Sequence, residues 1–385
     1  MSDRLEADYV IETAIDPRQA AEIMAGEQSS GTFVSVPGET DELKARSAAQ
    51  VEAVEVYDTV TSPSLPGAAT GECYARARVT LSWPLGNMGV SLPNAMTTVS
   101  GNLYELKPFS GLRLVDVRFP DPFAEAYPGP RFGIEGTRRL TSVTKGPVIG
   151  TIIKPSVGFS PRQTAERVRE LIEGGVDFIK DDELQADGPH CPFDERVEAV
   201  MGVINDHAGR TGMKVMYAFN LTGEVDEMRA RHDLVMRHGG TCVMASVNSV
   251  GLGGMLALGR HSQLPIHAHR NGWGYLSRHP MLGWSFPAWS KFWRLAGADH
   301  LHVNGLQNKF CEGDDSVIEA AQSLLTPMFA DKPCITMPVF SSGQSAVQAA
   351  ETYRRMQTTD LIYAAGGGLV GHPDGIAAGV ASLRQ

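Results

Sequence analysis

Lys180, Asp181, Asp182 and Glu183 follow directly on an apolar run at 175–179. Three oxygen-bearing acids beside a lysine at a strand end can form a hard-cation site. Mg²⁺ takes oxygen ligands in an octahedron and usually only one or two protein carboxylates. Strand alternation puts Lys180 and Asp182 on one face and leaves Glu183 to turn inward where the strand ends. An ammonium cannot ligate a metal. Lys180 is therefore either a counter-ion or a chemically converted group, for example a carbamate formed with CO₂. The competing reading is a charged strand end that only solvates a loop.

The elements that must position these residues recur from residue 147 onward. Short β-branched or apolar runs lie at 147–155, 176–183, 214–222, 241–247, 265–270, 300–304, 334–340 and 361–365. Amphipathic stretches at 164–173, 193–207, 225–237, 316–325 and 346–356 alternate with them. Ser160-Pro161 supplies a cap and first-turn signal for the first of these helices. Eight βα units in about 240 residues fit a (β/α)₈ TIM barrel of the α/β class, and a doubly wound sheet is the alternative. Residues 1–125 differ: alternation at 73–81 and 112–119, with a helix at 16–24, predicts a small α+β, ferredoxin-like domain. The expected division is 1–125, a linker and barrel entry at 126–146, and a barrel over 147–385.

Chemistry in a barrel collects at the C-terminal strand ends, and here those ends are polar. In strand order they carry Lys154; Lys180, Asp182 and Glu183; Asn220; His267, His269 and Arg270; His302, with Lys309 in the next loop; Ser341, Ser342 and Gly343; and Gly366, Gly367 and Gly368. Each has a structural explanation alone, such as a satisfied core histidine or a tight glycine turn. A glycine-rich turn before a helix also makes a phosphate cradle, and a phosphate site after strands 7 and 8 recurs in this barrel. Their convergence on one face favours a site.

Composition narrows the partners. The formal net charge of −10 argues against a nucleic-acid or anionic-membrane partner. No 18-residue apolar run or signal-like N-terminus is present. Cys73, Cys191, Cys242, Cys311 and Cys334 lack CxxC spacing and read as reduced thiols of a cytoplasmic protein.

Several segments together resemble the large subunit of ribulose-1,5-bisphosphate carboxylase/oxygenase, and more closely its RuBisCO-like (form IV) relatives. They are EQSSGTF at 27–33, GN at 101–102, GTIIKP at 150–155, GGVDFIKDDE at 174–183, HAHR at 267–270 and GGGLVGHP at 366–373. The stretches 302–309 and 338–343 match as well. The resemblance implies a carbamate on Lys180 that holds Mg²⁺ together with Asp182 and Glu183. It makes Lys154 the residue that handles enediolate protonation, and sets His269 near substrate hydroxyls. Arg270 and His302, with Ser341 close by, match one phosphate site; Thr32, Gly343, Gly367 and Gly368 match the other. Glu27 and Asn102 would reach into a partner's barrel, implying an antiparallel homodimer with sites at the subunit interface and room for higher assemblies.

Departures from the carboxylase pattern bear on the reaction. Ser156 stands where the carboxylase has a second lysine and Trp273 where it has a histidine, and the resemblance leads us to expect no carboxylase-like C-terminal tail. Lys309 and Glu27 are nevertheless kept. In the family this lysine contacts a carboxyl group, so the substrate is expected to carry one. The resemblance therefore implies a Mg²⁺-dependent lyase acting through an enediolate on a phosphorylated keto sugar acid. That means decarboxylation, or carboxyl transfer and hydrolysis, of a 3-oxo-isoapionate 4-phosphate type of compound. The alternatives are an enolase or 1,3-proton-transfer isomerase of a methylthio-sugar phosphate, a ribulose-bisphosphate carboxylase, and a non-catalytic relative.

Overall fold

The computed structural model describes residues 4–30 and 37–384, so Thr32 lies outside the described residues. The chain divides into two compact units, Met1–Tyr127 with Trp273–Phe292, and Pro128–Gly272 with Trp293–Gln385.

In the first unit, β1 (Arg4–Thr13), β2 (Gln50–Val60), β3 (Tyr74–Pro84) and β4 (Phe109–Arg118) form one sheet. Pairing is antiparallel, with Leu5 opposite Trp83 and Ile11 opposite Ala77. Leu5, Ala7, Tyr9 and Ile11 are buried in strict alternation, which fixes the register of β1. Helix Pro17–Glu27 starts at Asp16, whose carboxylate accepts the Gln19 N–H at 3.0 Å, and it buries Ala20, Ala21 and Met24.

The barrel strands are β5 (Val148–Ile152), β6 (Phe178–Lys180), β7 (Met216–Asn220), β8 (Cys242–Ser246) and β9 (Ile266–His269). The next strand, β10 (Leu282–Trp284), instead pairs parallel with β4 and completes a mixed five-stranded sheet in the order β10-β4-β1-β3-β2. Then β11 (His300–His302), β12 (Met337–Phe340) and β13 (Ile362–Ala364) close the barrel, with β9 hydrogen-bonded to β11. Every neighbouring pair in the barrel is parallel.

Val148, Phe178, Met216, Met244, Val339 and Ile362 fill the core cluster. Lys180 stands two residues beyond Phe178 on β6, so the period of two continues the inward face up to the quartet. At the other strand ends, buried Asp299 accepts N–H groups of Phe132 (2.6 Å), Gly133 (2.9 Å) and Ile266 (2.9 Å).

Two details differ from the sequence division. The 126–146 stretch contains helix Gly133–Thr141 and is not an open linker. Trp273–Phe292, expected within the barrel, groups with the N-terminal unit because β10 finds its hydrogen-bonding edge on β4.

Candidate active site

The quartet at the end of β6 splits by face. Lys180 is buried, and its Nζ donates to the Asp181 carbonyl at 2.7 Å and to Glu183 Oε2 at 3.3 Å. Lys154 Nζ donates to Asp182 Oδ2 at 2.6 Å and to Ser156 Oγ at 2.9 Å. His269 Nε2 lies 3.4 Å from Glu183 Oε2. Asn220, ending β7, donates from its amide to the carbonyls of Asp182 (3.3 Å) and Glu183 (3.2 Å).

Asp181 faces the other way. Its carboxylate accepts the Tyr217 hydroxyl at 2.5 Å, the Asn220 N–H at 2.9 Å and Arg196 Nη2 at 3.2 Å. It therefore anchors β6 to β7 and to helix Phe193–Thr211, while Lys180 and Asp182 are left to the barrel mouth. Strand alternation sets Lys180 and Asp182 on one face, and the structure shows what Asp181 does on the other.

Electrostatics follow from this crowding. Burial drives the Lys180 ammonium down, offset in part by Glu183 and Asp182. Burial pushes the Glu183 carboxyl up, but neighbouring His269 and Lys180 outweigh it and hold the group at about 2. Burial, with Lys180 nearby, pulls His269 down to about 4, so its ring is neutral at pH 7.

Beside the quartet, β9 and β11 bring four histidines together, of which His267, His300 and His302 are buried. His267 Nε2 and His302 Nε2 lie 2.7 Å apart, one ring donating to the other, and His302 Nδ1 lies 3.1 Å from Ser341 Oγ at the end of β12. Burial holds His267 and His302 well below the ordinary histidine range. Arg270 Nη2 donates to Glu312 Oε2 at 2.7 Å.

At the ends of β12 and β13 the glycines separate into two kinds. Gly343, at φ +83°, and Gly367 have open space where a side chain would stand. A methyl at Gly368 would instead overlap the Gln344 carbonyl, so close backbone packing already explains that glycine.

The remaining predicted residues fall as follows. Glu27 and Asn102 meet in the N-terminal unit, with Asn102 Nδ2 donating to Glu27 Oε1 at 3.2 Å. Lys309 is exposed in the loop after β11, its Nζ 5.3 Å from the ring centroid of its neighbour Phe310. No hydrogen bond or ion pair joins Lys309 to the quartet among the described residues. Glu312, Asn304 and Arg196 were missed: nothing in their local spacing marks partners that only the closed barrel brings near.

Among the described residues, one group of three His, Cys, Asp or Glu side chains has its ligand atoms within 4.8 Å of one another: His232, Asp233 and His261. The hydrogen bonds argue against a metal there. His232 Nε2 accepts the Gln263 N–H at 3.1 Å, which leaves the ring proton on Nδ1 to bond Asp233 at 3.0 Å. A metal on Nδ1 would force an N–H against the Gln263 N–H. The quartet is not such a group, because it offers two inward carboxylates and an amine.

A (β/α)₈ barrel with a buried lysine bonded to a carboxylate at a strand end, preceded by a mixed-sheet domain, defines the class. The family described as ribulose bisphosphate carboxylase large chain, catalytic domain, matches residues 133–385, and its N-terminal domain matches residues 5–123. The chain belongs to the RuBisCO large-chain family, among its RuBisCO-like members. The 3-oxo-isoapionate-4-phosphate transcarboxylase/hydrolase of Xanthobacter autotrophicus is 59% identical over 376 residues, covering 98% of this chain and 91% of the relative. A 3-oxo-isoapionate-4-phosphate decarboxylase of Rhizobium etli is 46% identical over 379 residues, with coverage of 98% and 91%. The crystal structure of a rubisco-like protein from Burkholderia fungorum superposes with a TM-score of 0.94 at 48% identity, covering 100% of this chain and 93% of that one. No helix among the described residues is long and apolar enough to cross a membrane.

Proposed function

We propose that this enzyme acts on 3-oxo-isoapionate 4-phosphate, a phosphorylated keto sugar acid, and breaks the bond to its carboxyl group. The observation that carries the chemistry is the buried Lys180 bonded to Glu183 at 3.3 Å, with Lys154 hydrogen-bonded to Asp182 at 2.6 Å. The substrate comes from the relatives. Carboxyl transfer followed by hydrolysis is favoured over simple decarboxylation, because the relative named for it is 59% identical and the decarboxylase 46%.

The donor set fits Mg²⁺ on one condition. Asp182 and Glu183 both act electrostatically on the Lys180 amine, and burial disfavours its charged form. A neutral amine is the form that adds CO₂, so a carbamate on Lys180 would supply the missing oxygen donor. Asp182, Glu183 and that carbamate would hold the ion. When bound, Mg²⁺ supplies a Lewis acid that polarises the substrate's ketone.

The chain's own groups do the rest. Lys154 holds a proton at Nζ, positioned by Asp182 and the Ser156 hydroxyl. As the carbon–carbon bond beside the ketone breaks, the carboxyl group leaves as CO₂ and its electron pair passes toward the ketone oxygen as an enediolate. In simple decarboxylation Lys154 then gives its proton to the carbon; in carboxyl transfer the CO₂ re-adds at the neighbouring enediolate carbon, water cleaves the product, and Lys154 protonates the carbon released by that cleavage. His269, neutral at pH 7 with its proton on Nε2 because Nδ1 accepts the Asn271 N–H at 3.2 Å, donates a hydrogen bond to a substrate hydroxyl oxygen. Lys309 meets the carboxylate, and Arg270 and His302 bind phosphate at one end of the substrate. The backbone at Gly343, Gly367 and Gly368, with Thr32, binds at the other end. Glu27 and Asn102 act together from the partner subunit of a homodimer, a reading supported by their mutual hydrogen bond. The five free cysteines support a cytoplasmic location.

The test is turnover of ¹³C-carboxyl-labelled substrate with Mg²⁺ and bicarbonate. Label retained in an organic acid supports transfer and hydrolysis; label released as CO₂ would indicate the decarboxylase. Absence of any Mg²⁺-dependent product would refute the proposal.

A further inference from the structure

The loop after β11 places a carboxylate against the arginine assigned to phosphate. Glu312 Oε2 accepts Arg270 Nη2 at 2.7 Å and Asn304 Nδ2 at 2.5 Å, and its Oε1 accepts Ser316 Oγ at 3.1 Å. These donors come from three elements: the residue after β9, the residue two beyond β11, and the first turn of helix Asp314–Leu325. A guanidinium, an amide NH₂ and a hydroxyl converging on one anion are the donor types that also bind a phosphoryl group. Arg270 is nearly buried, with its side chain 7% exposed, so burial makes its charge costly and Glu312 offsets that cost.

The same loop is tied down by this contact. Asn308 Nδ2 donates to the carbonyls of Gly305 (2.9 Å) and Glu312 (3.0 Å), closing the segment on itself. Lys309 sits inside that closed segment and is exposed to solvent. Holding Glu312 on Arg270 therefore holds Lys309 in its exposed position.

We infer that Glu312 is an internal stand-in for the substrate's phosphate: it occupies Arg270 in the ligand-free protein, and the arriving phosphate displaces it and frees the loop that carries Lys309. The inference rests on reading Arg270 as a phosphate ligand. A dianion with three terminal oxygens can take over the donors of Arg270 and Asn304, whereas a neutral hydroxyl at that end of a substrate cannot displace a carboxylate. The device thus selects phosphorylated over unphosphorylated sugar acids and links that selection to Lys309. Glu312 is in this sense a positioning residue.

The experiment uses the full chain with Mg²⁺ and bicarbonate and inorganic phosphate as the probe. Calorimetric titration of Glu312→Gln should give phosphate binding about tenfold tighter than wild type, the scale of one lost charge-assisted competitor. Ser316→Ala, which removes only the Oε1 bond, should shift affinity the same way by less, and guards against misfolding of the first variant. Phosphate should raise hydrogen exchange across 303–313 in wild type, while Glu312→Gln should exchange fast with or without it. Unchanged or weaker phosphate binding in both variants would overturn the inference, since Glu312 would then only support Arg270. Arg270→Gln separates the premises: if it leaves phosphate affinity untouched, the phosphate reading of Arg270 falls and the inference with it. None of these titrations involves turnover, so an error in the proposed sugar acid would leave them readable.

Discussion

Replacing Arg196 with methionine isolates the network that turns Asp181 away from the barrel mouth. The Arg196 and Asp181 side chains are both 0% exposed and lie 3.2 Å apart. The guanidinium also donates to the Ala186 carbonyl at 2.6 Å and the Cys191 carbonyl at 3.0 Å, tying down the loop that follows the quartet. Methionine fills much of the same volume but leaves a buried carboxylate with two neutral donors and no cation. An uncompensated buried charge of this kind costs about 3–5 kcal/mol, a large share of a net stability of about 5–15 kcal/mol. Asp181→Asn in the same chain removes the orphaned charge and keeps an acceptor for Tyr217. The double variant should therefore recover about half of the Arg196→Met loss, about 1.5–2.5 kcal/mol. Urea unfolding followed by circular dichroism, read from the midpoints of the four-member cycle, measures both quantities. A loss below about 1 kcal/mol in Arg196→Met, or a double variant no better than the single, would refute the reasoning.

The remaining predictions concern the site and its pH dependence. Lys180→Met should abolish the bicarbonate dependence of Mg²⁺ affinity in calorimetry, because no amine remains to gain an oxygen donor. Lys309→Ala should lower kcat on the accepted substrate about a hundredfold with Mg²⁺ affinity unchanged; unchanged turnover would remove the carboxylate role. Gly368→Ala should destabilise by about 1–3 kcal/mol, since the new methyl overlaps the Gln344 carbonyl. Gly367→Ala, with open space at its Cβ, should keep stability and weaken phosphate binding instead. Burial pushes Asp299 up to about 6 from 3.8, against its backbone N–H donors Gly133, Ile266 and Phe132. The folded chain then holds the extra proton, so this contribution is fully present below about pH 4 and lost as pH rises through about 6, by about 3 kcal/mol. Asp299→Asn should flatten that part of the urea-midpoint profile.

Much of this was legible because the barrel repeats one grammar. All eight expected barrel strands exist, each within its predicted bounds, since fully buried parallel strands read as continuous apolar runs. Helix Val247–His261 was not legible: Gly251, Gly253 and Gly254 interrupt it, and Gly251 is non-helical at φ 70°. Strand β2 was hidden for another reason, since most of its residues are exposed and no apolar alternation survives. In β1, Leu5, Ala7, Tyr9 and Ile11 do alternate, but a small alanine between Glu6 and Asp8 dilutes the pattern. The strand-end residues were legible from position alone. What position could not supply was pairing: Lys154 to Asp182, Glu27 to Asn102 and Arg270 to Glu312 are long-range contacts made by folding.

Ser156 shows how such pairing bears on the reaction. Lys154 Nζ lies 2.6 Å from Asp182 and 2.9 Å from the Ser156 hydroxyl, so the two side chains share one small space. A lysine at 156 would bring a second ammonium to the carboxylate that Lys154 already holds. Two cations there would compete for Asp182 and add positive charge beside the residues that would hold the metal. With a serine at 156, Lys154 is the one cation bonded to Asp182 and the hydroxyl helps to position it. The serine is thus expected to matter for how Lys154 serves the reaction more than for metal binding. Ser156→Lys should accordingly depress turnover of the keto acid more than it depresses Mg²⁺ affinity, and an equal loss of both would count against this assignment.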